Sequence, residues 1–137
     1  MTRNEAKREL WPIKEMEKDI MSVEQEIDRL MTVATKMTTN YAPVNITGSP
    51  NNKIEDALIK VEEYRSRLSN LLIENVSLKN KCWNKVQQVQ PESLRRILVL
   101  YFFQNKTMEQ TAEFLDKSYQ WTYELYKSAL DEYAKIS

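Results

Sequence analysis

An apolar heptad seam near the amino end most restricts the folds open to this chain. Between Ile13 and Met37, apolar residues recur at alternating spacings of three and four, as on one face of an α-helix. A lone helix would expose this stripe to water, so the seam predicts a first long helix, running to about Met37, that packs on another helix. Pro12 is expected in its opening turn, or at a kink behind a short leading helix. The seam consists of Ile13, Met16, Ile20, Val23, Ile27, Leu30, Ala34 and Met37.

The residues after the seam predict a loop and a second long helix. Thr38 to Asn52 contains two prolines and the only glycine, which favour a loop. Apolar residues then follow one broad face from about Lys53 to Val89, so the second helix is expected to fold back as an antiparallel hairpin. Because two helices make a thin core, we predict a homo-oligomer. The predicted oligomerisation residues are Ile13, Met16, Ile20, Val23, Ile27, Leu30 and Met37.

The segment from Leu94 to Ile136 predicts a helix-turn-helix. Thr107 and Gln110 have the spacing of a capping box, and Ser118 can cap the next helix. With one Gly and four Pro in 137 residues, helices are favoured over any sheet. The expected fold is all-α, with a long helical hairpin or coiled coil for oligomerisation in residues 1–90 and a helix-turn-helix in residues 91–137.

The order of residues from Thr107 to Leu130 resembles the promoter-reading helix-turn-helix of bacterial sigma factors, region 4. In that resemblance Ala112 is the small residue of the first helix, Ser118 opens the recognition helix, and Ala129-Leu130 closes the pattern. Asp116 stands where the pattern usually has glycine, and Asp can adopt the left-handed conformation of such a turn.

The layout of the whole chain is similar to that of phage transcription regulators of the RinA and ArpU type. They too have a long charged helix, a polar loop like the one from Val44 to Glu55, a second long helix and a terminal sigma-like module. The resemblance implies a phage or prophage transcriptional regulator, an activator of late genes in the cytoplasm of a bacterial host. It also implies promoter DNA as a partner, and host RNA polymerase or a regulatory protein as a tether.

The resemblance places the DNA-contacting side chains around the start of the recognition helix. Gln120 can pair with adenine, and Glu124 can accept from cytosine N4. The alternative for the aromatic residues there, and for Tyr126, is that they cover apolar surface in a dimer or against the hairpin. The alternative for Lys106 and Lys117 is that they are ordinary solvated surface residues. The predicted DNA-binding residues are Ser118, Tyr119, Gln120, Trp121, Tyr123, Glu124, Lys127, Lys117 and Lys106.

Charge argues against strong DNA binding by a single copy. The chain has 20 basic and 20 acidic residues, and residues 91–137 hold slightly more acidic than basic ones. Since phosphate neutralisation supplies most sequence-independent affinity, binding requires several copies or a tether. An alternative function follows: a module that binds RNA polymerase or an inhibitor protein without sequence-specific DNA contact. A third is a structural coiled-coil adaptor with a degenerate helix-turn-helix.

Other classes of function have little support in the sequence. Without His, and with Cys82 alone, the usual metal-ligand sets and an intrachain disulfide are missing, so we expect no metal and no cofactor. Catalytic constellations and a glycine-rich phosphate loop are missing too, so no enzyme is expected. The amino end lacks an apolar stretch, which predicts an intracellular protein without membrane contact.

Overall fold

The computed structural model describes residues 1–39 and 50–136, which form helices and no strand. The long helices are α1 (Arg3–Thr39) and α2 (Pro50–Gln87). Three shorter helices follow: α3 (Glu92–Leu98), which continues into a π-helical turn at Val99–Phe103, α4 (Met108–Leu115) and α5 (Tyr119–Ala134). Helices α1 and α2 pack against each other, which confirms the predicted all-α fold of a helical hairpin followed by a helical module.

The predicted loop from Thr38 to Asn52 lies largely outside the described residues. In the described part, α1 includes Thr39 and α2 begins at Pro50, three residues before its predicted start. The side chain of Met37 and most of the loop from Val44 to Glu55 are also outside. None of the helices described combines the length and the apolar character that crossing a membrane requires.

The chain divides into two compact units. One contains Met1–Lys18 and Glu74–Ser137, and the other contains Asp19–Ile73. The predicted domain boundary between residues 90 and 91 falls inside the first unit. In the second unit the seam residues Ile20, Val23 and Leu30 are buried, as are Ala57 and Val61 of α2. Much of the predicted oligomerisation seam is therefore covered within a single chain.

The first unit has a core that combines both ends of the sequence. Helix α1 contributes Ala6, Leu10 and Ile13, each fully buried, and Met16 is half-buried. The remaining members of the cluster come from α2, from the turn that follows it, and from the C-terminal helices. They are Cys82, Val86, Val89, Leu94, Ile97, Leu98, Phe102, Phe103, Met108, Tyr126, Ala129, Leu130, Tyr133 and Ala134.

Pro12 lies inside α1 rather than in its opening turn. Residues 3–11 precede it in the helix, which excludes the first of the two predicted placements. Proline removes one backbone donor and leaves the carbonyl of Arg8 without its usual partner. Because Pro12 is exposed, that carbonyl lies on the water side of the helix, while Leu10 and Ile13 are buried on the other side.

The local signals of the helix-turn-helix are confirmed. The Gln110 amide donates to Thr107 Oγ1 at 3.1 Å and the Thr107 amide to Gln110 Oε1 at 2.9 Å, completing the capping box. Ser118 Oγ accepts from the Trp121 amide at 3.1 Å. Asp116 ends α4 at φ 57° and ψ 45°, the left-handed conformation that glycine usually supplies.

Candidate nucleic-acid interface

Helix α5 is held by one face and exposes the other at its amino end. Its buried face continues to the end of the helix and packs into the core of the first unit. In the first two turns, Tyr119, Gln120, Tyr123 and Glu124 are exposed. The buried residues of α5 are Thr122, Tyr126, Ala129, Leu130, Tyr133 and Ala134.

The predicted DNA-binding side chains form pairs of lysine and aromatic ring. Lys117 Nζ lies 4.8 Å from the ring centroid of Trp121, and Lys127 Nζ lies 5.2 Å from that of Tyr123. Lys127 also forms an ion pair with Glu124 at 2.9 Å, so the carboxylate proposed to accept from cytosine already has a cation beside it. Tyr119 and Tyr123 stack one turn apart, with their rings 3° from parallel.

Phe114 is an exposed aromatic residue beside Lys106 that was not predicted from the sequence. It is 62% exposed on α4, and Lys106 Nζ lies 5.6 Å from its ring. Its signal was its position four residues before Ser118, in the helix that precedes the recognition helix. Trp121 is 45% exposed and Tyr119 51%, so these side chains are not core residues.

Tyr126 takes the alternative role and covers apolar core. It is buried among Tyr101 and Phe102, with centroid distances of 4.9 and 6.0 Å. Burial, with Tyr101 and Tyr123 nearby, raises the pKa of Tyr126 well above its ordinary value. Its hydroxyl has no partner among the described residues. Tyr126 therefore supports the exposed face of α5 from behind.

Helix α1 fixes the carboxyl half of α5 through two polar contacts. Arg3 donates from Nε and Nη2 to the two oxygens of Asp131, at 2.8 and 2.7 Å. Glu9 Oε1 accepts from the Tyr133 hydroxyl at 2.8 Å and from Lys85 Nζ at 3.0 Å. Burial raises the pKa of Glu9, but these two donors outweigh it and the pKa is lowered overall.

Lys14 fixes α1 to the segment between α3 and α4. It is only 5% exposed, and its ammonium donates to the carbonyls of Tyr101 at 3.0 Å and Lys106 at 2.8 Å. The same ammonium lies 4.0 Å from the centroid of the Tyr101 ring. Tyr101 is in the π-helical turn and Lys106 precedes α4, so Lys14 supplies hydrogen-bond donors to two carbonyls outside regular α-helix.

The folding stability contributed by Lys14 is expected to rise with pH above 8. Burial, together with the neighbouring Lys18, lowers the pKa of Lys14 from 10.5 to about 8. Below pH 8 the Lys14 ammonium is charged in both the folded and the unfolded protein, and in the folded protein its burial costs desolvation free energy. Between about 8 and 10.5 only the unfolded state keeps the proton, so stability increases by at most about 1.4 kcal/mol per pH unit.

Urea unfolding of wild type and Lys14→Met at pH 7, 8, 9 and 10 measures this difference. The tyrosines titrate in both proteins, so their contribution cancels in the comparison. We expect the stability of wild type to rise relative to that of Lys14→Met over this range. A constant difference between the two proteins would contradict an ammonium that deprotonates on the folded side of the equilibrium.

Comparison of the chain with models of known protein families, with curated proteins and with solved structures finds no match. The proposed function therefore depends on the geometry of the first unit.

Among the described residues, no group of His, Cys, Asp and Glu side chains is arranged to hold a metal ion. Burial raises the pKa of Cys82, the lone cysteine, which lies in the core of the first unit.

Proposed function

We propose that this protein is a DNA-binding transcriptional regulator that reads promoter DNA with the first two turns of α5. The observation that carries the proposal is the exposure of Tyr119, Gln120 and Tyr123 at the amino end of α5. The left-handed turn at Asp116 and the cap at Ser118 fix where this helix begins. In helix-turn-helix proteins this part of the second helix contacts base edges in the major groove. Gln120 offers an amide that can pair with adenine N6 and N7.

The wider role that we propose follows the resemblance to phage regulators of the RinA and ArpU type. The protein would activate late genes in the cytoplasm of a bacterial host, with Ser118, Lys117, Lys106 and Lys127 toward the DNA backbone. As a homo-oligomer it would present several α5 helices to neighbouring half-sites. Since much of the α1 seam is buried within one chain, the exposed Ile59 and Ile73 of α2 are available for contact between copies.

The alternative function is binding of RNA polymerase or a regulatory protein without sequence-specific DNA contact. The exposed Phe114 and Trp121 favour it, because aromatic side chains dominate the energetics of protein interfaces. A pocket of about 190 Å³ beside Trp121 is lined by both apolar and basic side chains. It is lined by Ser93, Arg96, Leu115, Lys117, Trp121 and Leu125.

A mobility-shift titration with DNA from the neighbourhood of the protein's own gene tests the proposed function. We expect saturable binding that Gln120→Ala weakens by about 1–3 kcal/mol, the usual contribution of one bidentate base contact. Lys127→Ala should weaken binding to all sequences and reduce its salt dependence.

Lys135→Ala is the matched control for the loss of one lysine. It removes an exposed lysine just after the other end of α5, about 16 Å along the helix axis from Glu124 at 1.5 Å per residue, and should leave binding unchanged. No shift at micromolar protein, together with capture of RNA polymerase that Trp121→Ala abolishes, would contradict DNA reading and establish the alternative function.

A further inference from the structure

A row of basic and aromatic side chains runs along one flank of α1 in the first unit. Arg3, Lys7, Trp11, Lys14 and Lys18 are spaced by four, four, three and four residues, which places them on one side of a helix. We call these five residues the basic stripe. Two contacts fix which side of α1 faces the C-terminal helices: Arg3 binds Asp131 of α5, and Lys14 binds the carbonyls of Tyr101 and Lys106.

A chain of aromatic ring contacts, which passes through the buried Tyr126, connects the basic stripe to the exposed face of α5. Ring centroids are 6.5 Å apart from Trp11 to Tyr101, 4.9 Å from Tyr101 to Tyr126, and 6.1 Å from Tyr126 to Tyr123. The separation between Trp11 and the recognition turns is therefore shorter than one turn of duplex DNA, about 34 Å. A duplex seated on α5 has phosphates within this distance.

Two cations of the basic stripe are available for a ligand. Lys7 and Lys18 are exposed, and their ammonium groups lie 5.5 and 5.8 Å from the centroid of the Trp11 ring. Neither has a carboxylate within ion-pair distance among the described residues. A shallow pocket of about 390 Å³ lies here, lined by Lys7, Arg8, Trp11 and Pro12.

Two carboxylates of the same part of α1 bind partners away from the basic stripe, and a third, Glu15, lies on it beside Trp11. Glu9 binds Tyr133 and Lys85, and Glu17 binds Lys79 at 2.6 Å. Glu15 Oε1 accepts from Trp11 Nε1 at 2.7 Å, and Glu5 accepts from the Thr2 hydroxyl at 3.1 Å. The basic stripe thus keeps an excess of positive charge from Lys7 and Lys18 even with Glu15 beside it, although residues 91–137 by themselves are slightly acidic.

We infer that the basic stripe binds the sugar-phosphate backbone of the same DNA duplex that α5 reads, with Lys7 and Lys18 as phosphate contacts. This inference rests on the proposed function and supplies the positive charge that the helix-turn-helix lacks. Charge complementarity and the short distance to the recognition turns of α5 favour DNA over an acidic protein as the occupant. The N-terminal helix is then part of the DNA-binding surface.

The experiment is a salt titration of binding between the full chain and a fluorescein-labelled duplex of about 30 base pairs, three helical turns. Between about 50 and 200 mM KCl, the logarithm of the binding constant falls with the logarithm of salt by about 0.9 per neutralised phosphate. The double variant Lys7→Ala/Lys18→Ala should lower this slope by about 1.8 and weaken binding at 100 mM by at least about tenfold.

Two matched variants separate charge and position from folding. Lys7→Arg/Lys18→Arg keeps both charges and should keep the slope. Lys60→Ala/Lys81→Ala removes two exposed lysines of α2, outside the stripe, and should also keep the slope. Circular dichroism of each variant verifies that the helices are intact.

The outcomes distinguish this inference from the proposed function. If Gln120→Ala weakens binding to DNA from the gene neighbourhood while Lys7→Ala/Lys18→Ala leaves the slope unchanged, the inference is overturned and the proposed function stands. If the wild type binds no duplex at any salt concentration, the proposed function is overturned and the inference with it. Poly-glutamate serves as a probe for an acidic protein in a parallel titration. If Lys7→Ala/Lys18→Ala loses binding to poly-glutamate and keeps DNA binding, the occupant is an acidic protein and the inference is overturned.

Discussion

A Leu10→Ala variant is expected to lose about 2–5 kcal/mol of its free energy of unfolding. Leu10 is fully buried in a cluster that joins α1 to residues of α2, α3 and α5. Truncation removes its transfer free energy and leaves a cavity that a core of interlocked helices fills only partly. Urea unfolding followed by far-UV circular dichroism measures the loss.

Val76→Ala is the control for the Leu10 variant. Val76 belongs to the same unit and is exposed on α2, so its truncation should change stability by no more than about 0.5 kcal/mol. Equal stability of Leu10→Ala and wild type would show that the first turns of α1 are not part of the core, and would remove the support that they give to α5.

A fragment of residues 91–137 is expected to be largely unfolded in isolation. In the full chain its core is completed by six buried residues from outside the fragment, and fragments of this size bury too little apolar surface for stability. Its ellipticity at 222 nm should be weak and its thermal transition broad. The six residues are Ala6, Leu10, Ile13, Cys82, Val86 and Val89.

Complementation sharpens the fragment experiment. A fragment of residues 74–137 mixed with a peptide of residues 1–18 reconstitutes the first unit, so helicity should rise on mixing. The peptide with Leu10→Ala should be much less effective. A sharp cooperative melt of residues 91–137 alone would instead show that the helix-turn-helix is an autonomous domain, as the sequence predicts.

The features that were predicted from the sequence are local ones. The capping box at Thr107, the cap at Ser118 and the left-handed turn at Asp116 depend on side chains and backbone within a few residues. The two long helices follow from apolar periodicity, which also depends only on neighbours along the chain. For these reasons the fold class and the position of α5 could be predicted.

The features that were missed depend on contacts between distant segments. The seam predicts that Ile13 is covered by apolar surface, but its period does not identify which surface, and Ile13 lies in the core of the first unit. The buried Lys14 donates a hydrogen bond to the carbonyl of Tyr101 in the π-helical turn, and 87 residues of sequence separate the two. Spacing alone does not distinguish the basic stripe from other charges on a helix, because its position depends on the contacts of Arg3 and Lys14 with the C-terminal residues.

The hydrogen bond between Glu9 and Tyr133 closes a separation of 124 residues. A ribosome that adds about 5–20 residues per second completes that stretch about 6–25 s after Glu9 is made. Throughout this interval Leu10 and Ile13 lack their partners in α5, and the nascent chain carries an uncovered apolar surface that chaperones can bind. A premature stop codon within α5 would therefore leave the first turns of α1, as well as α5, without a folded core.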